Sequence, residues 1–348
     1  MTAVGWPRVA LRRRNALRRV GAAVLLWMAA GCAGDRIAEA TAADTGPGPI
    51  MVRADPVPLY PDETGPAVLG KLRYRGGLRL TALEPRFGGW SDLRIADDGR
   101  RVTMISDRGY WLDATLVIDA TGRLTGLERA RLGPLIDTRG RPVTGRFNDA
   151  EGLAARADGG YVISFEGQHR LWLYPAAEPP FTKAPTPLTT PPGATAQPAN
   201  GGMEALASLA SGDLLVLSEE MGTGDDHAGW IGDGQRWEKL TYRAASDYKP
   251  TAIAGLPNGD ALVLERRFSL LGGFGGRLVR VRAADIAPGR LLKGQELARF
   301  ESPATVDNFE GVAIARGPSG ETLVVVVSDD NYQRLLQQTL LMMFELTE

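Results

Sequence analysis

The chain predicts an all-β fold built from one repeated sheet, and three observations carry that prediction. A short cue recurs five times: Ser91-Asp92-Leu93, Glu151-Gly152-Leu153-Ala154, Glu204-Ala205-Leu206-Ala207, Thr251-Ala252-Ile253-Ala254 and Glu310-Gly311-Val312-Ala313. A turn glycine follows the first residue of each cue, eight positions on in four repeats (Gly99, Gly159, Gly212, Gly259) and ten on in the fifth (Gly320). A β-rich run then ends on an acid, giving 102–106 before Asp107, 161–165 before Glu166, 214–218 before Glu219, 261–264 before Glu265 and 323–328 before Asp329. The cues lie 60, 53, 47 and 59 residues apart. That period suits one four-stranded sheet per repeat, hence a β-propeller with five recognisable blades.

In chain order, residues 1–31 read as an export signal. Arg8, Arg12, Arg13, Arg14, Arg18 and Arg19 supply its positive region and Val20 to Ala30 a short apolar run. That run is too short for an ordinary membrane span. Ala29-Ala30-Gly31-Cys32 resembles a bacterial lipoprotein cleavage box, which makes Cys32, the only cysteine, the expected lipid-bearing residue. Residues 32–66 then form an expected tether rich in Ala, Gly, Pro and Asp, and 67–348 the propeller domain. Residues 69–83 are strand-like and are assigned to the last blade beside 340–346, closing the ring with an N-terminal strand.

Within the blades, 115–118, 170–174, 236–242 and 277–282 read as third or fourth strands. Residues 175–202 contain eight prolines and are expected as a long surface loop. Residues 221–235 are glycine-rich and read as irregular, and Gly272-Gly273-Phe274-Gly275-Gly276 as a flexible turn. Either 175–202 or 221–235 leaves room for a sixth, degenerate blade.

A hairpin returns to the sheet edge it left, so cue residues and closing acids gather at one mouth of the channel. Ser91, Glu151, Glu204, Thr251 and Glu310 form the expected inner ring, with Asp107, Glu166, Glu219, Glu265 and Asp329 outside it. Crowded carboxylates raise one another's pKa unless a cation neutralises them, and a hard ion such as Ca²⁺ suits oxygen ligands. Glu151, Glu204, Glu310, Asp107, Glu166, Glu219 and Asp329 are therefore the candidate metal ligands, displaced from the axis because Ser91 and Thr251 are not acidic. The competing reading is that these acids cap strands. Arg108, Arg146, Arg170, Lys249 and Arg266 lie near the same mouth in sequence, either to meet an anionic substrate or to pair with neighbouring acids.

Other chemistries lack their residues. The chain has two histidines, His169 and His227, too few for a histidine-rich zinc site. No nucleophile elbow, phosphate loop or dinucleotide fingerprint occurs. His169 reads as a turn residue more readily than as a general base. Beyond residue 31 there are 34 basic and 41 acidic residues, a net charge of −7, which excludes nucleic acid as the expected partner.

Seven segments resemble the phytase-like β-propeller family known for "esterase-like activity of phytase". They are Ile105-Ser106-Asp107-Arg108-Gly109, Asp149-Ala150-Glu151-Gly152-Leu153, Ser164-Phe165-Glu166-Gly167, Glu204-Ala205-Leu206, Leu217-Ser218-Glu219, Phe309-Glu310-Gly311-Val312 and Ser328-Asp329-Asp330-Asn331-Tyr332. The resemblance runs in order over about 69–346. It implies an exported bacterial propeller, in the periplasm or outer membrane, hydrolysing a phosphate or related ester with Ca²⁺. On that expectation Glu151, Glu204, Arg108 and Lys249 are catalytic, and Arg146, Arg170 and Arg266 bind a small anionic or ester substrate. The protein is expected as a monomer. A non-catalytic envelope lipoprotein and a lactone or sugar-acid hydrolase are the alternatives.

Overall fold

A computed structural model describes residues 1–2, 46–62, 65–270 and 272–347. Cys32 and nearly all of the expected signal segment lie outside the described residues. The described chain from Gly46 onward forms one unit of five sheets with only short 3₁₀ turns between strands.

Each sheet is a meander that starts at the channel. Blade 1 runs outward through Trp90–Ile95, Arg101–Ser106, Tyr110–Ile118 and Leu124–Pro134, and blade 2 through Ala150–Ala155, Tyr161–Phe165, Arg170–Tyr174 and Thr186–Pro187. Blade 3 comprises Ala205–Ser208, Leu214–Thr223, Asp226–Gly232 and Trp237–Arg243, with Leu291–Lys293 added in parallel at its edge. Blade 4 comprises Lys249–Gly255, Ala261–Ser269, Gly273–Val281 and Gln295–Phe300. Blade 5 comprises Phe309–Arg316, Thr322–Ser328 and Thr339–Leu346, followed by Leu72–Thr81 and Arg53–Pro56. Leu72–Thr81 pairs antiparallel with Thr339–Leu346 across the sequence. The five turn glycines all have positive φ, 67° to 90°, a conformation that a β-carbon disfavours.

Both faces of every blade are buried against neighbours, so strands are apolar on both sides. In Thr322–Ser328, Val324 and Val326 pack toward blade 4 while Val325 and Val327 pack toward blade 1. One apolar cluster fills each of the five blade interfaces, and the inner strands touch in the cyclic order 1-2-3-4-5-1. Five blades therefore complete the ring.

Three expectations are corrected. Residues 221–235 are no sixth blade but the arm of a blade 3 hairpin, with Gly222 opposite His227. Gly273 to Gly276 belong to a strand, Gly273 pairing with Ser269. The described part of the expected tether is docked: Gly48–Pro49 pairs with blade 1 and Arg53–Pro56 with blade 5.

A buried ion pair crosses the channel. Three positions after the cue residue, four inner strands carry alanine (Ala154, Ala207, Ala254, Ala313), whereas blade 1 carries Arg94. One position after it, Gly152, Ala205, Ala252 and Gly311 correspond to Asp92. Arg94 donates to Asp92 Oδ1 (2.9 Å), Val312 O (2.9 Å), Leu206 O (2.7 Å) and Ile253 O (3.0 Å), and Asp92 Oδ2 accepts from Leu153 N (2.9 Å). Blade 1 thus binds the backbone of each of the other four, through a carbonyl in blades 3, 4 and 5 and through an N–H in blade 2. With every partner in place the pair is tolerated, but removing one member strands the other charge, at a cost of about 3–5 kcal/mol. Beyond Arg94 the far mouth opens as a cavity of about 650 Å³ lined by Ala155, Ala207, Ala254, Ala313 and Ala315.

Candidate functional site

A repeated backbone irregularity aims the cue residues into the near mouth. Between inner and second strands the register shifts at the cue in four blades. Ser91, Thr251 and Glu310 are each the extra residue there, for example between the pairs Phe309–Ser328 and Gly311–Val327. Such bulges redirect a side chain and recur beside active sites. In blade 2, Ala150 pairs with Phe165. Asp149 and Glu151 flank Ala150 and so share a face, and Glu166, next after Phe165, falls beside them. Ligand oxygens of Asp149, Glu151 and Glu166 all lie within 4.8 Å of one another.

The loop before the third cue holds this group. Gly201 N donates to Glu166 Oε2 (3.1 Å) and Gly202 N to Glu166 Oε1, while Gly202 O accepts from Glu204 N (3.1 Å) and Glu219 N (2.9 Å). A β-carbon on Gly202 would lie 3.0 Å from Glu166 Oε1 and 2.5 Å from His169 Nδ1, so glycine keeps this space open.

The remaining acids divide around two arginines. Arg266 donates to Glu219 Oε1 (2.8 Å) and Asn308 Oδ1 (3.1 Å) and lies 3.3 Å from Glu310 Oε1. Burial works against its charge, yet Glu310, Glu204, Glu219 and Asp329 hold its pKa above the usual value. Arg108 stacks on Tyr332, 3.5 Å from the ring centroid, near Asp107. Lys249 pairs with Glu220 and lies 3.9 Å from Glu219. Arg170 is stacked on Phe165 and Trp172 and donates to Gln168 O, and Arg146 is exposed above Phe147.

Burial raises Asp149, Glu151, Glu166, Glu204, Glu310, Asp107 and Asp329, and repulsion between carboxylates adds to it in all of these but Asp149. Glu151 is held well above the carboxylate range by burial and by Asp149, Glu204, Glu166 and Asp107. Burial and then Glu219, Glu166 and Glu310 do the same to Glu204, and burial with Asp107 and Glu310 to Asp329. Glu166 and Asp107 are pushed up to about 7, chiefly by burial, and so is Glu310 in spite of Arg266. Asp107 Oδ1 is buried with no hydrogen-bond partner. Crowded buried carboxylates, one of them with an unpartnered oxygen, fit a hard cation.

The structure therefore gathers Glu151, Glu204, Glu310, Asp107, Glu166, Glu219 and Asp329 at one mouth, with the tightest ligand spacing on blade 2. The expected place of Glu265 in the outer ring is corrected. It pairs in register with Arg277, 2.5 Å away, accepts from Tyr242 Oη (2.5 Å), and is 1% exposed in the blade 3–4 interface. Blade 4 thus adds no acid to the mouth. Asp149 was not among the expected ligands, although it stands two residues before the Glu151 cue. Gly201-Gly202, just before the Glu204 cue, was the available signal for the anchoring loop.

Fold and site together define a five-bladed propeller with an acidic channel mouth. A family model described as "Phytase-like: Esterase-like activity of phytase" matches residues 85–332, and the chain belongs to that family. No curated protein matches it. Among solved structures, it resembles a PQQ-bound aldose sugar dehydrogenase from Streptomyces coelicolor at 13% identity (81% of this chain, 99% of that chain, TM-score 0.45). It also resembles a gluconolactonase from Xanthomonas campestris at 12% identity (86% and 98%, TM-score 0.43).

Proposed function

We propose that the protein is a cation-assisted hydrolase of a phosphate ester or related ester, acting at the acidic mouth. The observation that carries this reading is the Asp149, Glu151 and Glu166 trio, whose ligand oxygens lie within 4.8 Å of one another, the spacing for one ion. Those three residues would hold the ion, and their all-oxygen donor set suits Ca²⁺. Bound there, it supplies Lewis acidity toward an ester oxygen. Glu204, whose proton is held more tightly than in an ordinary carboxyl by burial and by Glu219, Glu166 and Glu310, serves as proton carrier. Arg266 and Arg108, on the flanks of the trio, hold the anionic part of the substrate, and Lys249 lies at the rim. Arg146 and Arg170 line the blade 2 side.

Family membership supports ester chemistry, and the arginine-rich segment before Cys32 supports export and lipid anchoring, with the folded domain at the cell envelope as a monomer. Calcium titration calorimetry with aryl-phosphate and aryl-acetate turnover on the same sample tests the activity. Binding with metal-dependent turnover of either ester is the expected result. Binding without turnover would favour the ligand-binding lipoprotein, and turnover confined to lactones the sugar-acid alternative. Loss of membrane association in Cys32→Ser tests the anchor.

A further inference from the structure

We propose that the face on which the acidic mouth opens docks on a lipid bilayer, with Leu83, Leu335 and Leu336 entering the interface and Arg53, Arg79 and Arg334 meeting lipid phosphates. This rests on the membrane anchor proposed at Cys32 and adds which side of the ring the membrane meets.

The large apolar side chains left exposed by the fold gather on one face. Second strands end and third strands begin at the near mouth, and each outermost strand leads back to it, so residues 82–89 and 329–338 are near-face loops. Leu83 and Leu335 are fully exposed there, and Leu336 is 81% exposed. Phe268 and Leu270, also exposed, stand at the tip of the blade 4 hairpin on the same face. The far-face turns 96–100, 119–123, 156–160 and 256–260 carry no exposed large apolar residue. A single exposed leucine needs no explanation, but several around one opening mark an interaction surface.

The leucines surround a second opening. A cavity of about 530 Å³ at the outer edge of blade 5 is lined by Arg53, Arg79, Phe87, Arg334, Leu335 and Leu336, and Leu83 follows Ala82 in its wall. Arg53 and Arg79 share one carboxylate, Asp55, at 2.8 and 3.5 Å. Arg334 donates to Phe87 O (2.6 Å), a neutral partner. The other acid of this cavity, Asp330, is buried and accepts from Gly89 N (3.0 Å) and Tyr332 N (3.1 Å), and Glu84 beside Leu83 pairs with Arg86. Three arginines therefore face two acids, only one of which reaches the rim. Apolar tips flanked by guanidinium groups suit the boundary between acyl chains and phosphates.

The path of the chain selects a bilayer over a soluble partner. Gly48–Pro49 pairs with Leu132 and Arg131, close to where blade 1's outer strand reaches the near face at Pro134, opposite Tyr110. The pairing is antiparallel, so the chain enters the ring from the near side. Arg53–Pro56 likewise starts at the near end of its partner, Arg53 lying opposite Thr81 beside the leucines. Cys32 stands fourteen residues before Gly46, and a lipid on it is tethered through this rim.

The test places a solvatochromic amino acid at position 335, and separately at 121 in a far-face turn, in the full-length chain added to vesicles of phosphatidylethanolamine with phosphatidylglycerol. The expected result on vesicle-bound protein is a blue shift and quenching by brominated lipid at 335, with neither at 121. Leu83→Ser combined with Leu336→Ser should lower that quenching several-fold and leave calcium binding, measured on the same samples, unchanged. Bound protein whose probe at 335 is as wet as at 121 would overturn the docking face while leaving the anchor standing. A chain that does not bind the vesicles would overturn both. Should the probe at 335 prevent folding, the same probe at 83 decides the matter.

Discussion

At the near mouth the inner strands begin with Glu151, Glu204 and Glu310, half-buried and crowded by Asp107, Asp149, Glu166, Glu219 and Asp329. Toward the far mouth the same strands carry alanines around the Arg94–Asp92 pair, which between its two members has backbone partners in every other blade. One end crowds more carboxylates than Arg266 and Lys249 pair, and the other holds a charge balanced within the fold. Buried polar groups left unsatisfied in a native structure call for a ligand or a functional reason. By that criterion the near mouth is the end for which we propose the activity, and the far mouth is a structural one.

The sharpest way to break this comparison is to remove the far-end pair. Arg94→Ala should destabilise the protein by about 3–5 kcal/mol, lowering Tm by on the order of 10 °C in a thermal melt, whereas Arg94→Met with Asp92→Leu should lose much less. If Arg94→Ala melts like wild type, the ion pair does not hold the ring. At the near end, Glu151→Gln should weaken cation binding by roughly 100-fold or more, since it removes one of three carboxylate ligands, while leaving the metal-free Tm unchanged or higher. Calorimetry and a melt on one preparation read both.

The pH dependence of the metal-free protein comes next in size. Glu166, Asp107 and Glu310 titrate near 7 in the native state and at ordinary carboxylate values when unfolded. Between those values the native state binds more protons, so stability falls as pH rises toward and through about 7. Tm should drop by several degrees between pH 5.5 and 8, and a divalent cation should restore it at pH 8. A metal-free Tm that rises over this range would contradict the uncompensated mouth. The smallest effect belongs to Ser208→Ala at the far mouth, which should stay within about 0.5 kcal/mol of wild type and leave ion binding unaltered.

The ring was legible because its signals are local and periodic. Gly99, Gly159, Gly212, Gly259 and Gly320 mark turns that need positive φ, and the runs that follow them are the second strands. The acidic mouth was legible to the extent that hairpin geometry fixes it. Glu265 departs from the pattern because Arg277 stands opposite it in the next strand, and cross-strand partners depend on register, which spacing alone does not supply. Asp149 joins the site through the pairing of Ala150 with Phe165, and Gly201-Gly202 through the path of a proline-rich loop. Arg94 and Asp92 stood out only as large charged residues where the other repeats have Gly or Ala, and their partners, 61 to 218 residues away, become visible only once the ring closes.

That separation bears on how the chain reaches its native state. As synthesis proceeds, Arg94 and Asp92 emerge with the first blade, but Leu153, Leu206 and Ile253 follow in turn and Val312 arrives 218 residues after Arg94. Until then the charged pair has water where its carbonyls will be, so partial rings of two, three or four blades are not rewarded with a finished axis. Strong long-range dependence of this kind slows folding, and it makes the last inner strand the step that commits the whole ring.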